Sequence, residues 1–217
     1  MFHDAALIAA KDLRIELHSK VTLQQVAPFA VLVLILFGMA LDPDRGVLAR
    51  ASSGLFWVAV LFTALLAIQR AFTIEASDGG RDALRLSGLD PAGIFLGKAA
   101  AIAVQLAALE VVLAAGVVVM YGTEVTGWPL LLATCGAATA GLAAAGTLYG
   151  VLAAGLRVRE TLLPILLLPV LAPVLIGATK AFEAALGGVA ADGWPWCGLL
   201  VTFAQLYLIF GTLLEES

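Results

Sequence analysis

Long apolar runs separated by shorter polar segments dominate the hydrophobic pattern of the chain. Six of these runs are about 20 residues long, which is the length that a helix needs to cross a bilayer. Because lipid cannot hydrogen-bond a bare backbone, and because the runs do not alternate apolar and polar positions, the pattern predicts transmembrane helices. The predicted spans are 22–41, 53–70, 98–121, 129–155, 162–180 and 195–214. The first is the weakest, since Gln24 and Gln25 shorten its apolar part.

Residues 1–20 precede the first run and have the spacing of an amphipathic helix. Apolar side chains recur there at helical intervals; they are Phe2, Ala6, Ala9, Leu13 and Leu17. An amphipathic helix beside a membrane span normally lies in the interface. We therefore expect an interfacial helix here, the alternative being a solvated N-terminal helix.

The longest internal polar stretch, residues 71–97, connects the second and third spans. Asp78-Gly79-Gly80 is a turn signal, "RDALRLSG" is a short helix candidate, and Asp90-Pro91 has the residues of an N-cap and a first-turn proline. This order predicts a cytoplasmic coupling helix that contacts a partner protein, the alternative being an ordinary connecting loop. The predicted contact residues are Glu75, Asp78, Gly79, Arg81, Leu84 and Leu86.

Composition and charge agree with a membrane protein and give its orientation. The chain of 217 residues is 62% hydrophobic and 13% charged, whereas soluble domains are about 25% charged. This length predicts one transmembrane domain over residues 1–217. With a cytoplasmic N-terminus, nine of the 12 Lys and Arg residues fall in inside segments and three outside, so the positive-inside rule places both termini in the cytoplasm. No basic run indicates nucleic-acid binding.

One acidic residue, Glu110, lies in the middle of the third predicted span. A carboxyl group at that depth is costly, so it should face the protein interior with a partner or in its protonated form. Gln105, Tyr149 and Gln205 are chemically suitable partners. A structural polar contact and a residue of a transport pathway are both open readings of Glu110.

Small residues and prolines mark the fourth and fifth spans. Gly146 and Gly150 form a GxxxG pair, which lets helix backbones approach closely, either within the bundle or at a subunit interface. Pro164, Pro169 and Pro173 fall in the apolar stretch "LLPILLLPVLAPVLIG". Proline removes a helical hydrogen bond. A broken, kinked or re-entrant fifth span is therefore expected, acting either as a packing device or as a moving hinge.

The four tryptophans also follow the pattern of a membrane protein. Trp57, Trp128, Trp194 and Trp196 fall near the predicted outer ends of spans. Tryptophan is enriched at membrane–water interfaces, so an aromatic belt is expected there.

Motifs for catalysis, metal binding and nucleotide binding are missing from the sequence. Its two histidines, His3 and His18, both fall in the N-terminal segment, and Cys135 and Cys197 form no CxxC motif. "GIFLGK" resembles the end of a P-loop but lacks the first glycine and the final Ser or Thr. The chain is therefore expected not to be an enzyme and to bind neither ATP nor a metal.

Three stretches together resemble the cytochrome c maturation permease family, heme exporter protein B (CcmB). They are "KDLRIELHSK", "FWVAVLFTALLAIQRAFTIEASDGGRDALRLSGLDP" and "LLPILLLPVLAPVLIGA". The resemblance implies an ABC-2-like (type V exporter-like) permease of six helices in the bacterial inner membrane. It also implies a separate ATPase subunit, CcmA, which carries ATP and Mg, together with the partners CcmC, CcmD and the heme chaperone CcmE.

In such a complex the permease couples ATP hydrolysis to release of heme-loaded CcmE, an activity historically described as heme export. Heme is then handled by the complex, no cofactor is bound firmly by this chain, and a second copy of the chain is a further partner. Two other classes stay open at the level of sequence. One is a generic ABC-2-type exporter permease for a lipid, drug or polysaccharide, and the other is a non-transporting membrane scaffold.

Overall fold

The computed structural model describes residues 1–19, 26–40, 45–77, 88–121, 125–153 and 159–216. These residues form helices joined by short connections, which confirms the predicted all-α class. The helices are α1 (Phe2–Ser19), α2 (Ala27–Ala40), α3 (Arg45–Ser77), α4 (Pro91–Tyr121), α5 (Trp128–Ala153), α6 (Arg159–Leu186) and α7 (Ala190–Glu216).

Five of these helices are long and apolar enough to cross a membrane. Their apolar parts are Ala51–Thr73, Pro91–Val119, Trp128–Ala153, Leu163–Leu186 and Ala190–Glu215. The sixth predicted span corresponds to α2, which has 14 residues. At 1.5 Å per residue it is about 21 Å long, less than the about 30 Å of a hydrocarbon core. Because residues 22–25 and 41 lie outside the described residues, the sixth crossing stays a prediction.

The helices on either side of the predicted coupling segment are longer than the sequence indicated. Helix α3 continues to Ser77 and α4 begins at Pro91, so residues 71–77 and 91–97 belong to long helices rather than to a connecting segment. The predicted cap of α4 is confirmed, because Asp90 Oδ1 accepts a hydrogen bond from the N–H of Ala92 at 3.2 Å. The short helix predicted in "RDALRLSG" falls on residues 81–88, of which 81–87 are outside the described part of the chain.

Contacts between helix ends show which ends of the bundle coincide. The ring of Phe95, near the start of α4, lies against Gly211 near the end of α7. Gly150, near the end of α5, similarly lies against Phe72 near the end of α3. At the opposite end, the N–H of Gly127 donates to the carbonyl of Ala185 at 2.9 Å, which brings the start of α5 to the end of α6. Lys98 near the start of α4 also lies 5.5 Å from the ring centroid of Phe72, and α1 lies against Gly93 of α4. Helix α1, the end of α3, the start of α4 and the end of α7 therefore share one end of the bundle.

An aromatic cluster in the core corrects the predicted role of one tryptophan. Trp57 is 1% exposed and packs edge-on against Phe56 at 5.2 Å between ring centroids, while Phe56 stacks on Phe182 at 4.8 Å. Trp57 thus fills the interior between α3 and α6 and is not part of an aromatic belt. The other three tryptophans, Trp128, Trp194 and Trp196, are exposed.

The proline-rich stretch is one continuous helix. Helix α6 includes Pro164, Pro169 and Pro173 in its interior, so the element is not broken, and the expectation of a re-entrant segment is wrong. Pro169 and Pro173 are exposed on the outer surface, and membrane helices tolerate prolines where neighbouring groups satisfy the freed backbone. A hinge at these prolines stays a prediction.

Candidate functional site

Most of the predicted coupling residues lie outside the described part of the chain. The structure does describe the helices that frame them. Glu75 lies in the last turns of α3, with its side chain outside the described atoms. The other five predicted contacts, Asp78, Gly79, Arg81, Leu84 and Leu86, lie outside the described residues. The frame consists of the end of α3, the start of α4 and the helix that contacts both of them, α1.

Two glycines let the backbone of α1 lie directly on α4. A Cβ atom added at Gly93 would lie 2.9 Å from the carbonyl oxygen of Met1, and one added at Gly97 would lie 2.6 Å from that of Ala5. Such distances are too short for a side chain, so only glycine fits at either position. Gly93 and Gly97 are a GxxxG pair, the same signal that identified Gly146 and Gly150. The sequence reasoning missed this pair, although the spacing is readable in "GIFLGK".

Charged side chains bind α1 to the helices on both sides of the predicted coupling segment. On the α3 side, Arg70 Nε lies 3.8 Å from Glu16 Oε2. On the α4 side, Lys98 Nζ lies 3.8 Å from Asp12 Oδ2 and 5.5 Å from the ring centroid of Phe72 in α3. Lys98 is buried, so its charge needs such partners. Helix α1 therefore links the end of α3 to the start of α4.

The first residues of α1 also contact the cap of α4. The N–H of Asp90 donates to Asp4 Oδ2 at 3.4 Å, and this hydrogen bond holds the pKa of Asp4 below its usual range. A hydrogen bond to Asp90 raises the pKa of the Met1 ammonium, which lies 3.2 Å from Asp90 Oδ2. Asp4 therefore favours docking above its ordinary pKa and loses that effect as pH falls. The ammonium favours docking below its ordinary pKa and loses that effect as pH rises.

A second polar contact joins α4 to α5 inside the bundle. Glu110 is 5% exposed, which confirms the prediction that it faces the interior. Its Oε1 accepts a hydrogen bond from the Thr139 hydroxyl at 2.5 Å. The partner is thus Thr139 and not one of the three residues proposed from the sequence, Gln105, Tyr149 or Gln205. Thr139 is itself buried, so the contact is shielded from lipid.

The predicted GxxxG pair of α5 packs inside the bundle. A Cβ atom at Gly146 would clash with the side chain of Ile68, and one at Gly150 would clash with the ring of Phe72. Both neighbours belong to α3. The alternative of a subunit interface at these two glycines is therefore wrong, because α3 covers them.

Comparison with known proteins gives the chain its family. The family described as CcmB protein matches residues 4–213. Heme exporter protein B of Haemophilus influenzae is 30% identical over 178 residues, covering 82% of this chain and 80% of that protein. Heme exporter protein B of Escherichia coli (strain K12) is 31% identical over 206 residues, covering 84% and 83%, and that of Pseudomonas aeruginosa is 29% identical over 188 residues, covering 87% and 84%. The chain belongs to the CcmB family.

Proposed function

We propose that this chain is the transmembrane permease subunit of an ABC complex for cytochrome c biogenesis in the bacterial inner membrane. A separate ATPase subunit, CcmA, binds ATP and Mg, and its hydrolysis cycle drives release of heme-loaded CcmE from a complex that also contains CcmC and CcmD. The family match over residues 4–213 and the names of the relatives support this assignment. The incomplete P-loop motif in "GIFLGK" is consistent with ATP binding by a separate subunit.

The observation that carries the proposal is the link that α1 makes between α3 and α4. The predicted coupling residues lie between the end of α3 and the start of α4, and α1 contacts both of these ends through the ion pairs of Glu16 and Asp12. A displacement of the coupling segment would therefore move three helices together. Because Gly93 and Gly97 leave no gap between α1 and α4, the movement would reach the α4 backbone directly.

Heme is the cargo of the proposed complex rather than a cofactor of this chain. The chain has only two histidines, and both lie on α1, at the end of the bundle where α4 begins. A histidine ligand for heme at the opposite end would therefore have to come from another subunit. This distribution favours transmission of force by the chain over passage of heme through it.

The test is complementation in a bacterium that lacks its own heme exporter protein B. The wild-type chain should restore cytochrome c and co-purify with the ATPase subunit. A double variant, Leu84→Asp with Leu86→Asp, should lose the ATPase and leave heme trapped on the chaperone, because two charges replace the proposed apolar contacts. Unchanged co-purification of the ATPase would contradict the assignment of these residues.

The control is Val189→Asp, a change of the same kind at an exposed position near the opposite end of the bundle. It should retain both the ATPase and cytochrome c maturation. A wild-type chain that binds an ATPase but restores no cytochrome c would indicate a generic ABC-2-type exporter instead. Binding of neither the ATPase nor the chaperone would indicate a membrane scaffold.

A further inference from the structure

The acidic residues of α1 lie on the face that docks on the bundle, and Lys11 at the edge of that face pairs with Asp12 at 2.9 Å between Nζ and Oδ1. All three acidic residues, Asp4, Asp12 and Glu16, are part-buried and make contacts to α3 and α4. Ile8, on the same face, is 3% exposed and packs against Gly97. The negatively charged side chains of α1 therefore all lie on its docked face.

The outward face of α1, by contrast, combines basic and apolar side chains. At 100° per residue it covers about 120° of the helix circumference. Its members are His3, Leu7, Ala10, Lys11, Arg14, Leu17 and His18, and all of them are exposed. Leu17 is 73% exposed and Leu7 is 51% exposed. No acidic residue lies on this face, so its charge is positive or neutral at every position.

The outward face of α1 lies level with the start of the apolar helix α4. Helix α1 contacts α4 at Gly93 and Gly97, within the first two turns of an apolar helix that starts at Pro91. At this height a transmembrane helix passes from headgroups into hydrocarbon. A helix lying there inserts its apolar side chains into the acyl boundary and directs its cations to phosphate groups.

We propose that the outward face of α1 binds the anionic phospholipid headgroups of the leaflet next to this end of the bundle. Leu7 and Leu17 insert, while Arg14 contacts the lipid phosphates. Because the opposite face of α1 holds α3 and α4 together, the charge of the leaflet then influences how firmly α1 is seated on the bundle. This inference rests on α1 itself and does not depend on the proposed role in heme release.

The experiment uses the full-length chain with Cys135→Ala and Cys197→Ala and a fluorophore attached at Ala10→Cys, in the centre of the outward face. The protein is placed in nanodiscs of phosphatidylcholine alone or of phosphatidylcholine and phosphatidylglycerol in equal amounts. We expect stronger quenching by headgroup-labelled phosphatidylglycerol than by headgroup-labelled phosphatidylcholine. High salt should reduce this preference, because exposed charge pairs are screened.

Variants of Arg14 separate a charge effect from a folding effect. Arg14→Glu should reduce the preference for phosphatidylglycerol by about fivefold per unit of charge, whereas Arg14→Lys should retain it. Lys180→Glu, at the opposite end of the bundle, should leave it unchanged. Equal quenching by the two lipids in the wild-type chain would overturn the proposal. Protection of the fluorophore only after addition of the ATPase subunit would also overturn it, since the face would then be a protein-docking surface.

Discussion

Glu110 is the side chain whose burial in the membrane most requires an explanation. Its hydrogen bond with Thr139 supplies the partner that a carboxyl group needs at this depth. The short contact and the burial of both residues favour a structural role over a pathway role, because a pathway residue has to exchange partners. The contact connects α4 to α5.

We predict that Glu110→Gln retains stability and activity, because the amide oxygen can still accept the hydrogen bond from Thr139. Glu110→Ala should cost about 1–3 kcal/mol, since it leaves the buried Thr139 hydroxyl without this partner. Thermal unfolding in detergent measures the stability, and cytochrome c maturation measures the activity. A Glu110→Gln variant that is stable but inactive would instead establish that the ionisable group is functional.

Trp57 and Glu110 show what the sequence could predict for single side chains. Burial of Glu110 followed from the cost of a charge in lipid, which is independent of the neighbouring helices. The direction of the Trp57 side chain depends on how α3 is rotated against α6. In the structure it points inward and forms a cluster with Phe56 and Phe182. The distance of a residue from the end of a span gives no information about how the helix is rotated. The partner of Glu110 was missed for the same reason, because Thr139 carries no signal that distinguishes it from other threonines.

The docking of α1 on α4 gives a prediction for a pair of helices. In Gly97→Ala, the new Cβ would meet the carbonyl oxygen of Ala5 and the Cβ of Ile8, so the α1 backbone has to move. We expect a loss of about 1–3 kcal/mol, as for other overpacked contacts, and a weaker association of α1. The distance between spin labels at Ala10→Cys and Ala100→Cys measures this association in a chain that lacks Cys135 and Cys197.

Gly136→Ala is the matched control, because a Cβ atom at Gly136 in α5 would meet nothing within 4 Å. It should stabilise the chain by about 0.5–1 kcal/mol, the usual gain when alanine replaces a glycine within a helix. An unchanged label distance in Gly97→Ala would show that α1 accommodates the methyl group and that the glycine is not needed for docking.

The helices themselves were largely predictable, while their ends were not. A run of apolar residues is sufficient to identify α4 or α7, because only a helix satisfies the backbone in lipid. Helix α3 continues past Arg70 and α4 begins before Lys98, and α1 covers both helices at these two points, where it pairs with Arg70 and Lys98. This packing of α1 is a tertiary contact, which cannot be predicted from the hydrophobic pattern of a single segment.

The arrangement of the whole bundle bears on the sixth crossing. Helix α1 lies at the end where α3 finishes, since Glu16 pairs with Arg70. Helix α3 begins at the opposite end, where a Cβ atom added at Gly54 would lie 3.9 Å from Cγ2 of Thr179 in the second half of α6. The chain must therefore pass from one end of the bundle to the other between Ser19 and Arg45. Helix α2 covers part of this path, from Leu109 toward Gly116 of α4. From this geometry we predict six crossings, with α2 contributing one of them.

Six crossings together with the nine-to-three distribution of Lys and Arg predict that both termini are cytoplasmic. Single cysteines near Thr123 and near Gly188, in a chain without Cys135 and Cys197, should react with an impermeant maleimide added to intact cells. Cysteines at Gly80 and near Ser217 should react only after the membrane is opened. The crucial comparison is between Gly188 and Gly80, because Gly188 follows the end of α6 whereas Gly80 follows the end of α3, and these helices finish at opposite ends of the bundle. Labelling of Gly80 with protection of Gly188 would invert the orientation, and labelling of both in intact cells would contradict the bundle itself.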